Sequence, residues 1–444
     1  MKKTLVHINL FHPSSKKQDA NWVYRQNPHS ILVPRGVAPS IKTETHEVDP
    51  KEFLGKKQLE NAMKNILNFS ELQYLQSFEE LKTYIQDNID TEIITINLGI
   101  ATHPETDYNG HGLTDWVRRL KHKFPNDFDK LKWRFANTWD IYGHQLDEWI
   151  PWFTESISAI DQKNISIEVA NYSVSQQLTS ALPNANVMYN TVYFKRILRS
   201  NILNNNKPAK INTAKRTKHA MCLNHFSKLH RTRIVNLINN TCDKTKFYFS
   251  YISNNIKLEH DENLHLSNID KWQDTPPESI INDCYVNIVT ETFFFKDRLF
   301  SPFEDGSTIT TTPFITEKTF KCAYYYQPML IAGMQGSLKV FKELGFESFP
   351  EFFDESYDDI ENDESRLNKI NKEIFKLQSM PIETLHEIYH SPGMIKKLKH
   401  NKSVFNRFVR EDPSMQYTKL HKLYEKPWID IGLNPLLDEI YLDK

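Results

Sequence analysis

The feature of this sequence that most constrains its fold is the regular alternation of short apolar runs with helical stretches. The β-like runs are Thr4–Leu10, Glu92–Leu98, Ile165–Ala170, Asn186–Tyr189, Ala220–Leu223, Lys246–Tyr251, Tyr285–Thr290 and Pro328–Ala332. The helical stretches are Lys57–Phe69, Phe78–Asn88, Gly143–Ser156, His230–Ile238, Thr316–Tyr326 and Ser337–Leu344. Strands that alternate with helices pair in parallel through crossover connections, so the pattern predicts an α/β fold.

A cluster of polar, turn-forming residues at 204–208 separates two such α/β stretches in this chain of 444 residues. A chain of this length is typical of two or three domains. We therefore predict an N-terminal α/β domain over residues 1–205 and a second α/β domain over residues 211–362. Beyond it the pattern is wholly helical, from Ser365 to Met380 and from Ile382 to Arg410, which predicts a helical extension over residues 363–444.

Charge and cysteine content exclude several classes of protein. The 55 basic residues are balanced by 56 acidic ones, so the net charge of −1 gives no general attraction to nucleic acid or to an anionic membrane. The four cysteines form no CxxC pair, which favours a reducing cytoplasm over a disulfide framework or a zinc knuckle. No apolar run approaches about 18 residues, so we expect no membrane span. His7 and Asn9 interrupt the first apolar stretch, which indicates a strand rather than a signal peptide.

Local charge is less even than the total. The 74 residues from Val169 to Cys242 contain no Asp or Glu and hold eleven Lys and Arg residues. A surface without carboxylates suits a polyanion such as a diphosphate or a nucleic-acid backbone. The alternative explanation is a local variation in amino-acid composition on a solvent-exposed surface, which would give the same pattern.

The segment from Thr312 to Ala323 carries the most specific pattern for a ligand. Thr316 is a good N-cap, and Glu317 and Lys318 follow in the first turn of the predicted helix. Lysine is unfavourable there because the helix dipole already places positive charge at that end. An anion bound at the helix start would remove this conflict, and an ordinary surface lysine is the alternative.

Two further turns have residues suited to phosphate. Gly333, Gly336 and Ser337 lie between a short apolar run and a helix, where glycine lets the backbone approach a ligand closely. A simple tight turn accounts for them equally well. Asn224 ends another predicted strand, and Arg231 lies in the helix that follows, where its planar fork would suit a diphosphate.

The run from Phe314 to Lys321, followed by a strand and a glycine-containing turn, resembles the signature of the α1,3-fucosyltransferases. It also resembles uncharacterised, often phage-borne proteins with a Thr-Glu-Lys-Thr helix and a Gly-Ser-Leu-Lys turn. The resemblance covers roughly residues 211–360. It implies two Rossmann-like domains that face a cleft, the GT-B architecture, and an inverting, metal-independent transfer of sugar from a nucleoside diphosphate. No cofactor is then expected, since the nucleotide sugar is a co-substrate.

By position, the resemblance implies that Glu317 contacts the nucleoside-sugar part of the donor and Lys318 its diphosphate. Arg231 would be a second phosphate clamp, and Asn224, Thr316, Gly333, Gly336 and Ser337 would complete the donor site. Phe314 stands where the family commonly has Tyr, which removes a hydroxyl near the donor's base and sugar.

The acceptor hydroxyl must also lose a proton, and the N-terminal half is expected to supply the base. The best candidates are Glu105 and Asp107, in a glycine-rich loop directly after the predicted strand Ile93–Leu98. The same loop could instead be structural, or His103, Asp107 and His111 could bind a metal. A second possible metal group comprises His219, Cys222, His225 and His230, although its spacing matches no common zinc pattern.

These observations predict a cytoplasmic glycosyltransferase whose acceptor is a glycan or a hydroxymethylated base in DNA. Two alternatives stay open: a non-catalytic module that binds nucleotide or nucleic acid, and a metal-dependent enzyme that uses the His-rich loops.

Overall fold

The computed structural model of this protein is α/β, with two separate parallel sheets. It describes residues 2–8, 71–75, 78–99, 113–137, 146–189, 193–194, 197, 209–224, 228–251, 276, 278–295 and 312–411. The chain divides into two compact units, and within the described ranges the first ends at residue 189 and the second begins at residue 193. None of the helices in those ranges is long and apolar enough to cross a membrane.

The first unit contains a six-stranded sheet with the strand order β2-β1-β3-β4-β5-β6. Its strands are β1 (Lys2–Ile8), β2 (Glu71–Leu75), β3 (Glu92–Gly99), β4 (Lys132–Asn137), β5 (Ile165–Val169) and β6 (Asn186–Tyr189). Its described helices are α1 (Phe78–Asn88), α2 (Leu113–Lys123), α3 (Leu146–Ser156) and α4 (Tyr172–Ala181). All neighbouring strands run parallel, as the alternating pattern predicts.

Apolar residues of all four helices share one core with one face of this sheet. Trp133 and Phe135 of β4 project into that core, where the Phe135 ring meets Phe153 of α3 edge to face with centroids 5.3 Å apart. Alternation along a strand sends neighbouring side chains to the other face. There Arg134 of β4 donates to Asn97 of β3 at 2.7 Å and to Glu168 of β5 at 2.8 Å, and all three are buried.

The second unit contains a four-stranded parallel sheet with the order β10-β9-β7-β8. Its strands are β7 (Lys218–Asn224), β8 (Phe247–Tyr251), β9 (Cys284–Thr290) and β10 (Met329–Ala332). Between them lie α5 (Leu229–Thr241), α6 (Glu278–Asp283) and α7 (Glu317–Tyr324). After β10 come α8 (Ser337–Glu343), α9 (Asp363–Ser379), α10 (Ile382–His390) and α11 (Pro392–Glu411).

Each of the eight predicted strands coincides with an observed one, whereas the predicted helix over residues 57–69 lies outside the described residues. The pattern missed β2 and β4. The single helix predicted from Ile382 to Arg410 is wrong, because the chain breaks into α10 and α11 at Ser391. Ser391 precedes Pro392, and a residue before proline is driven into the extended conformation that it adopts here.

Helices α9 to α11 belong to the same compact unit as the second sheet. Arg366 of α9 is 1% exposed, and its guanidinium donates to the carbonyl oxygens of Phe294 at 2.7 Å and Ile360 at 2.9 Å. It also forms an ion pair with Asp363 at 2.5 Å. Because Phe294 follows β9, this one side chain ties the first helix of the C-terminal group to the sheet.

We predict that Arg366→Met lowers the free energy of unfolding by about 3 kcal/mol, because it leaves buried carbonyl groups and Asp363 without their donor. Arg233→Met is the matched control, since Arg233 joins α5 to α9 through a half-exposed ion pair with Glu364. That substitution should cost less than about 1 kcal/mol. Urea unfolding of both variants measures the difference, and equal losses would contradict the prediction.

Candidate functional site

The carboxyl ends of β7 and β9 form the natural ligand-binding edge of the second sheet. The chain runs from β7 outward to β8 and then crosses back to place β9 on the other side of β7. The connection after β7 leads toward one edge of the sheet, and the connection after β9 leads toward the other edge. In open α/β sheets, ligands bind at such a topological switch point. Asn224 ends β7, Thr290 ends β9, and the Thr290 hydroxyl donates to the Asn224 amide oxygen.

Glu291, the residue directly after β9, is fully buried and organises this edge. Its carboxylate accepts hydrogen bonds from the Thr316 backbone N–H at 3.0 Å, the Thr316 hydroxyl at 2.8 Å and the Thr319 hydroxyl at 2.6 Å. Its carbonyl oxygen accepts from Nε2 of His230 at 2.9 Å and from the Arg231 guanidinium at 3.0 Å. One residue therefore fixes the start of α7 and the start of α5 against the end of β9.

Thr316 caps α7 as predicted, with its hydroxyl oxygen accepting from the Lys318 N–H at 3.4 Å. The Lys318 ammonium lies 2.9 Å from the Glu317 carboxylate and 3.1 Å from the Thr316 hydroxyl, and its side chain is 26% exposed. Desolvation acts to lower the pKa of Lys318, but the carboxylates of Glu317 and Glu291 outweigh it and hold that pKa above its ordinary value. A charged, partly accessible ammonium thus stands at the N-terminus of α7, beside the Glu291 carboxylate to which the Thr316 N–H already donates.

Arg231 lies beside this group but is 5% exposed. Its guanidinium donates to the carbonyl oxygens of Thr290 at 3.3 Å and Glu291 at 3.0 Å. These contacts hold the carboxyl end of β9 against α5. The role of Arg231 as a phosphate clamp stays a prediction, and a ligand would have to reach a guanidinium that is already engaged with the main chain.

Asn224 is also buried, and it acts within the same edge. Its amide nitrogen contacts the Cys222 sulfur at 3.3 Å, and its backbone N–H donates to the Ser250 hydroxyl at 3.3 Å. Together with the bond from Thr290, these contacts join the ends of three neighbouring strands. A structural role is therefore sufficient to explain this residue.

Gly333, Gly336 and Ser337 form a tight turn between β10 and α8. A Cβ on Gly333 would lie 2.6 Å from the Ser337 hydroxyl oxygen, which is too close, and Gly336 has φ +80°, a left-handed conformation that favours glycine. The N-terminus of α8 already holds an anion of the protein, since the Asp358 carboxylate accepts from the N–H groups of Leu338 and Lys339 at 2.9 Å. Donor binding by these three residues stays a prediction.

The predicted bases Glu105 and Asp107 lie outside the described residues, as do His103, His111 and His225. Within the ranges that are described, no group of three or more His, Cys, Asp or Glu side chains is arranged to hold a metal ion. His219 contacts the carbonyl oxygen of Met380 at 2.9 Å, and His230 contacts that of Glu291. Each of these two imidazoles thus has its own backbone partner.

The acid-free stretch holds seven basic residues in the described ranges, and four of them are buried or matched by acids from elsewhere. Arg216 and Arg231 are buried, whereas Lys215 pairs with Glu383 at 2.7 Å and Arg233 pairs with Glu364. The remaining three are Lys210, Lys218 and Lys228. In this part of the chain, acids pair with two of the seven basic residues, and burial removes two more from the surface.

Sequence reasoning identified Thr316, Glu317, Lys318, Asn224 and Arg231, which the structure brings to one edge of the second sheet. It missed Glu291 and Thr319. The signal for Glu291 was a single acid at the end of the apolar run that forms β9, where a charge must be either exposed or fully paired.

No protein-family model, no curated protein and no solved structure matches this chain.

His230 provides a test of this geometry through pH. Burial, and then the nearby Arg231 guanidinium, lower the pKa of His230 to about 3 from an ordinary value of 6.5. Between these values the unfolded chain binds the extra proton, so the free energy of unfolding must fall as pH decreases from 6.5 towards 3. The contribution of one such group is up to about 1.4 kcal/mol per pH unit.

We predict that His230→Phe, which retains a ring to stack on Phe294, gives a shallower fall of stability below about pH 6.5. Urea unfolding between about pH 6.5 and pH 5 measures both slopes. The lost bond to the Glu291 carbonyl lowers stability at every pH and so leaves the slope unaffected. Equal slopes for the two proteins would show that His230 is not buried in its neutral form.

Proposed function

We propose that this protein is a glycosyltransferase that moves a sugar from a nucleoside-diphosphate donor to an acceptor hydroxyl, by an inverting and metal-independent mechanism. The observation that carries the proposal is the Lys318 ammonium at the N-terminus of α7, beside the switch point of the second sheet. The GT-B arrangement, with two Rossmann-like domains that face a cleft, is part of the proposal. The two parallel α/β sheets support it.

The chemistry of sugar transfer explains why a cation is needed at the donor site. When the sugar leaves, negative charge grows on the departing diphosphate, and fixed cations and helix N-termini stabilise it. Lys318 suits this role, whereas the N–H groups of Thr316 and Lys318 are already bonded within the protein. Glu317 is 4% exposed and lies 2.9 Å from Lys318, so it would have to become accessible to accept hydrogen bonds from the nucleoside-sugar part. Glu105 or Asp107 would take the acceptor proton.

A glycan acceptor is favoured over a base in DNA. A DNA acceptor requires a surface that neutralises several phosphates. Two of the described basic residues of the acid-free stretch are instead paired with Glu383 and Glu364. Binding of duplex DNA that weakens steeply with salt would overturn this choice of acceptor without affecting the donor site.

We expect one nucleoside diphosphate among GDP, UDP, ADP and CDP to raise the melting temperature of the wild-type protein in EDTA. Lys318→Ala should lose most of that shift and bind the nucleotide about ten-fold or more weakly, because it removes a charge-assisted hydrogen bond to phosphate. Thermal shift followed by calorimetric titration measures both effects.

Lys339→Ala is the matched control, because Lys339 lies in the first turn of α8, whose N-terminus is occupied by Asp358. It should leave nucleotide affinity unchanged. Stabilisation by none of the four nucleotides would refute the donor site. The wild-type protein could also bind the nucleotide but fail to hydrolyse the corresponding nucleotide sugar, even with candidate acceptors present. That result would instead support a non-catalytic nucleotide-binding module.

A further inference from the structure

Two hydrogen-bonding groups, the Glu291 carboxylate and the Thr316 hydroxyl, lie in sequence between the core of the second unit and the partly accessible Lys318 ammonium. The Glu291 carboxylate is fully buried, and the Thr316 hydroxyl donates to it at 2.8 Å. On its other side the same hydroxyl oxygen lies 3.1 Å from Nζ of Lys318 and 3.4 Å from the Lys318 backbone nitrogen. The ammonium is thus connected to Glu291 through the Thr316 hydroxyl, and it also contacts the Glu317 carboxylate at 2.9 Å and the Thr292 hydroxyl at 3.4 Å.

A hydroxyl has one proton, so the direction of that proton decides what the group offers to its other neighbours. A carboxylate only accepts, and therefore the Thr316 proton points inward to Glu291. The oxygen lone pairs are then left for the two donors of Lys318. Among the residues that the structure describes, the four groups that contact the Glu291 carboxylate are donors, namely the N–H groups of Thr292 and Thr316 and the hydroxyls of Thr316 and Thr319.

We propose that Glu291 is a positioning residue of the donor site, whose carboxylate orients the Thr316 hydroxyl and so holds the Lys318 ammonium where the ligand's phosphate binds. The phosphate part of this inference rests on the proposed function. Glu291 is too deeply buried to touch a ligand itself, so it acts through Lys318.

Replacement of Glu291 by glutamine tests the orientation with almost no change of volume. Either orientation of the amide directs its NH2 group at a backbone N–H, that of Thr292 or that of Thr316. The first orientation is favoured, because the amide oxygen then keeps the bonds from the Thr316 N–H and the Thr319 hydroxyl, and the NH2 group opposes only the longer Thr292 contact of 3.3 Å. In this orientation the NH2 group also faces the Thr316 oxygen, which turns the hydroxyl proton outward, toward the Lys318 ammonium. Of the three contacts that the structure describes for the ammonium, one is then lost, while those to the Glu317 carboxylate and the Thr292 hydroxyl remain.

The sign of the change in ligand affinity separates this effect from simple electrostatics. Loss of a negative charge near a bound phosphate would by itself strengthen binding. Loss of the oriented Lys318 contact weakens it instead. We therefore expect Glu291→Gln to bind the stabilising nucleoside diphosphate about five-fold more weakly than wild type, the equivalent of one ordinary hydrogen bond.

A double-mutant cycle shows whether Glu291 acts through Lys318. In the Lys318→Ala background, Glu291→Gln should cause no further loss of nucleotide affinity. Equal losses in both backgrounds would mean that Glu291 supports the fold in general, and tighter or unchanged binding by the single variant would likewise overturn the inference.

A second measurement needs no nucleotide. The charged groups that face Lys318 are Glu317, Glu291 and Arg231, and Glu291 contributes to the raised pKa of this amine. Amine-specific acylation across a pH series, read at Lys318 by mass spectrometry, should report a lower pKa in Glu291→Gln than in wild type. An unchanged pKa would show that Glu291 and Lys318 are not coupled and would overturn the inference. A lower pKa follows from loss of the charge alone, so the positioning itself is tested by the sign of the affinity change. If this shift is found and no nucleotide binds, the proposed function fails and the coupling between Glu291 and Lys318 stands.

Glu92→Gln serves as the matched control in the first unit. Glu92 is another buried carboxylate that accepts from a threonine hydroxyl, that of Thr4 at 2.6 Å, and from a lysine, Lys2 at 2.8 Å. Its substitution should lower stability but leave both nucleotide affinity and the pKa of Lys318 unchanged. A change in either would show that loss of stability alone produces the effects assigned to Glu291.

Discussion

The second unit is organised around the burial of the Glu291 carboxylate at the end of β9. A carboxylate out of contact with water is very unfavourable unless donors surround it, and here the donors come from the residue that follows it and from the first turn of α7. The same residue receives His230 and Arg231 through its carbonyl oxygen. Both helices that flank the switch point are therefore placed by one position in the chain, and the geometry of any anion site there depends on it.

The other end of α7 is fixed by the opposite charge. Lys402 of α11 is 3% exposed, donates to the carbonyl oxygen of Tyr324 at 3.3 Å and lies 3.4 Å from the centroid of the Tyr324 ring. A cation at a helix C-terminus complements the macrodipole as a carboxylate does at the N-terminus. Helix α7 is thus held at both ends by buried charges, and the Lys318 ammonium projects from a rigid segment rather than from a loop.

The sequence allowed the α/β class, the eight strongest strands and the cluster at the start of α7 to be predicted, because these depend on local periodicity and capping. It did not reveal β4, in which Arg134 interrupts the apolar pattern. That charge is acceptable only because Asn97 and Glu168 lie beside it on neighbouring strands. Glu291 was missed for the same reason, since its shorter hydrogen bonds come from Thr316 and Thr319, which are 25 and 28 residues away along the chain. Similarly, the basic stretch appeared more positive than it is because Glu364 and Glu383 approach from distant helices.

The position of Arg366 has a consequence for where this chain can be cut. A polypeptide truncated after residue 362 would retain every strand of the second sheet, yet it would lack the donor for the carbonyl oxygens of Phe294 and Gly333. It would also lack Lys402 and the buried apolar side chains of α9 to α11, such as Ile370, Ile374 and Phe405. The surface that these side chains cover, including the Tyr324 ring that packs on Phe405, would be exposed. Such a fragment would be a substrate for proteases and prone to aggregate, so limited proteolysis should release a stable piece only when the three helices remain attached to the sheet.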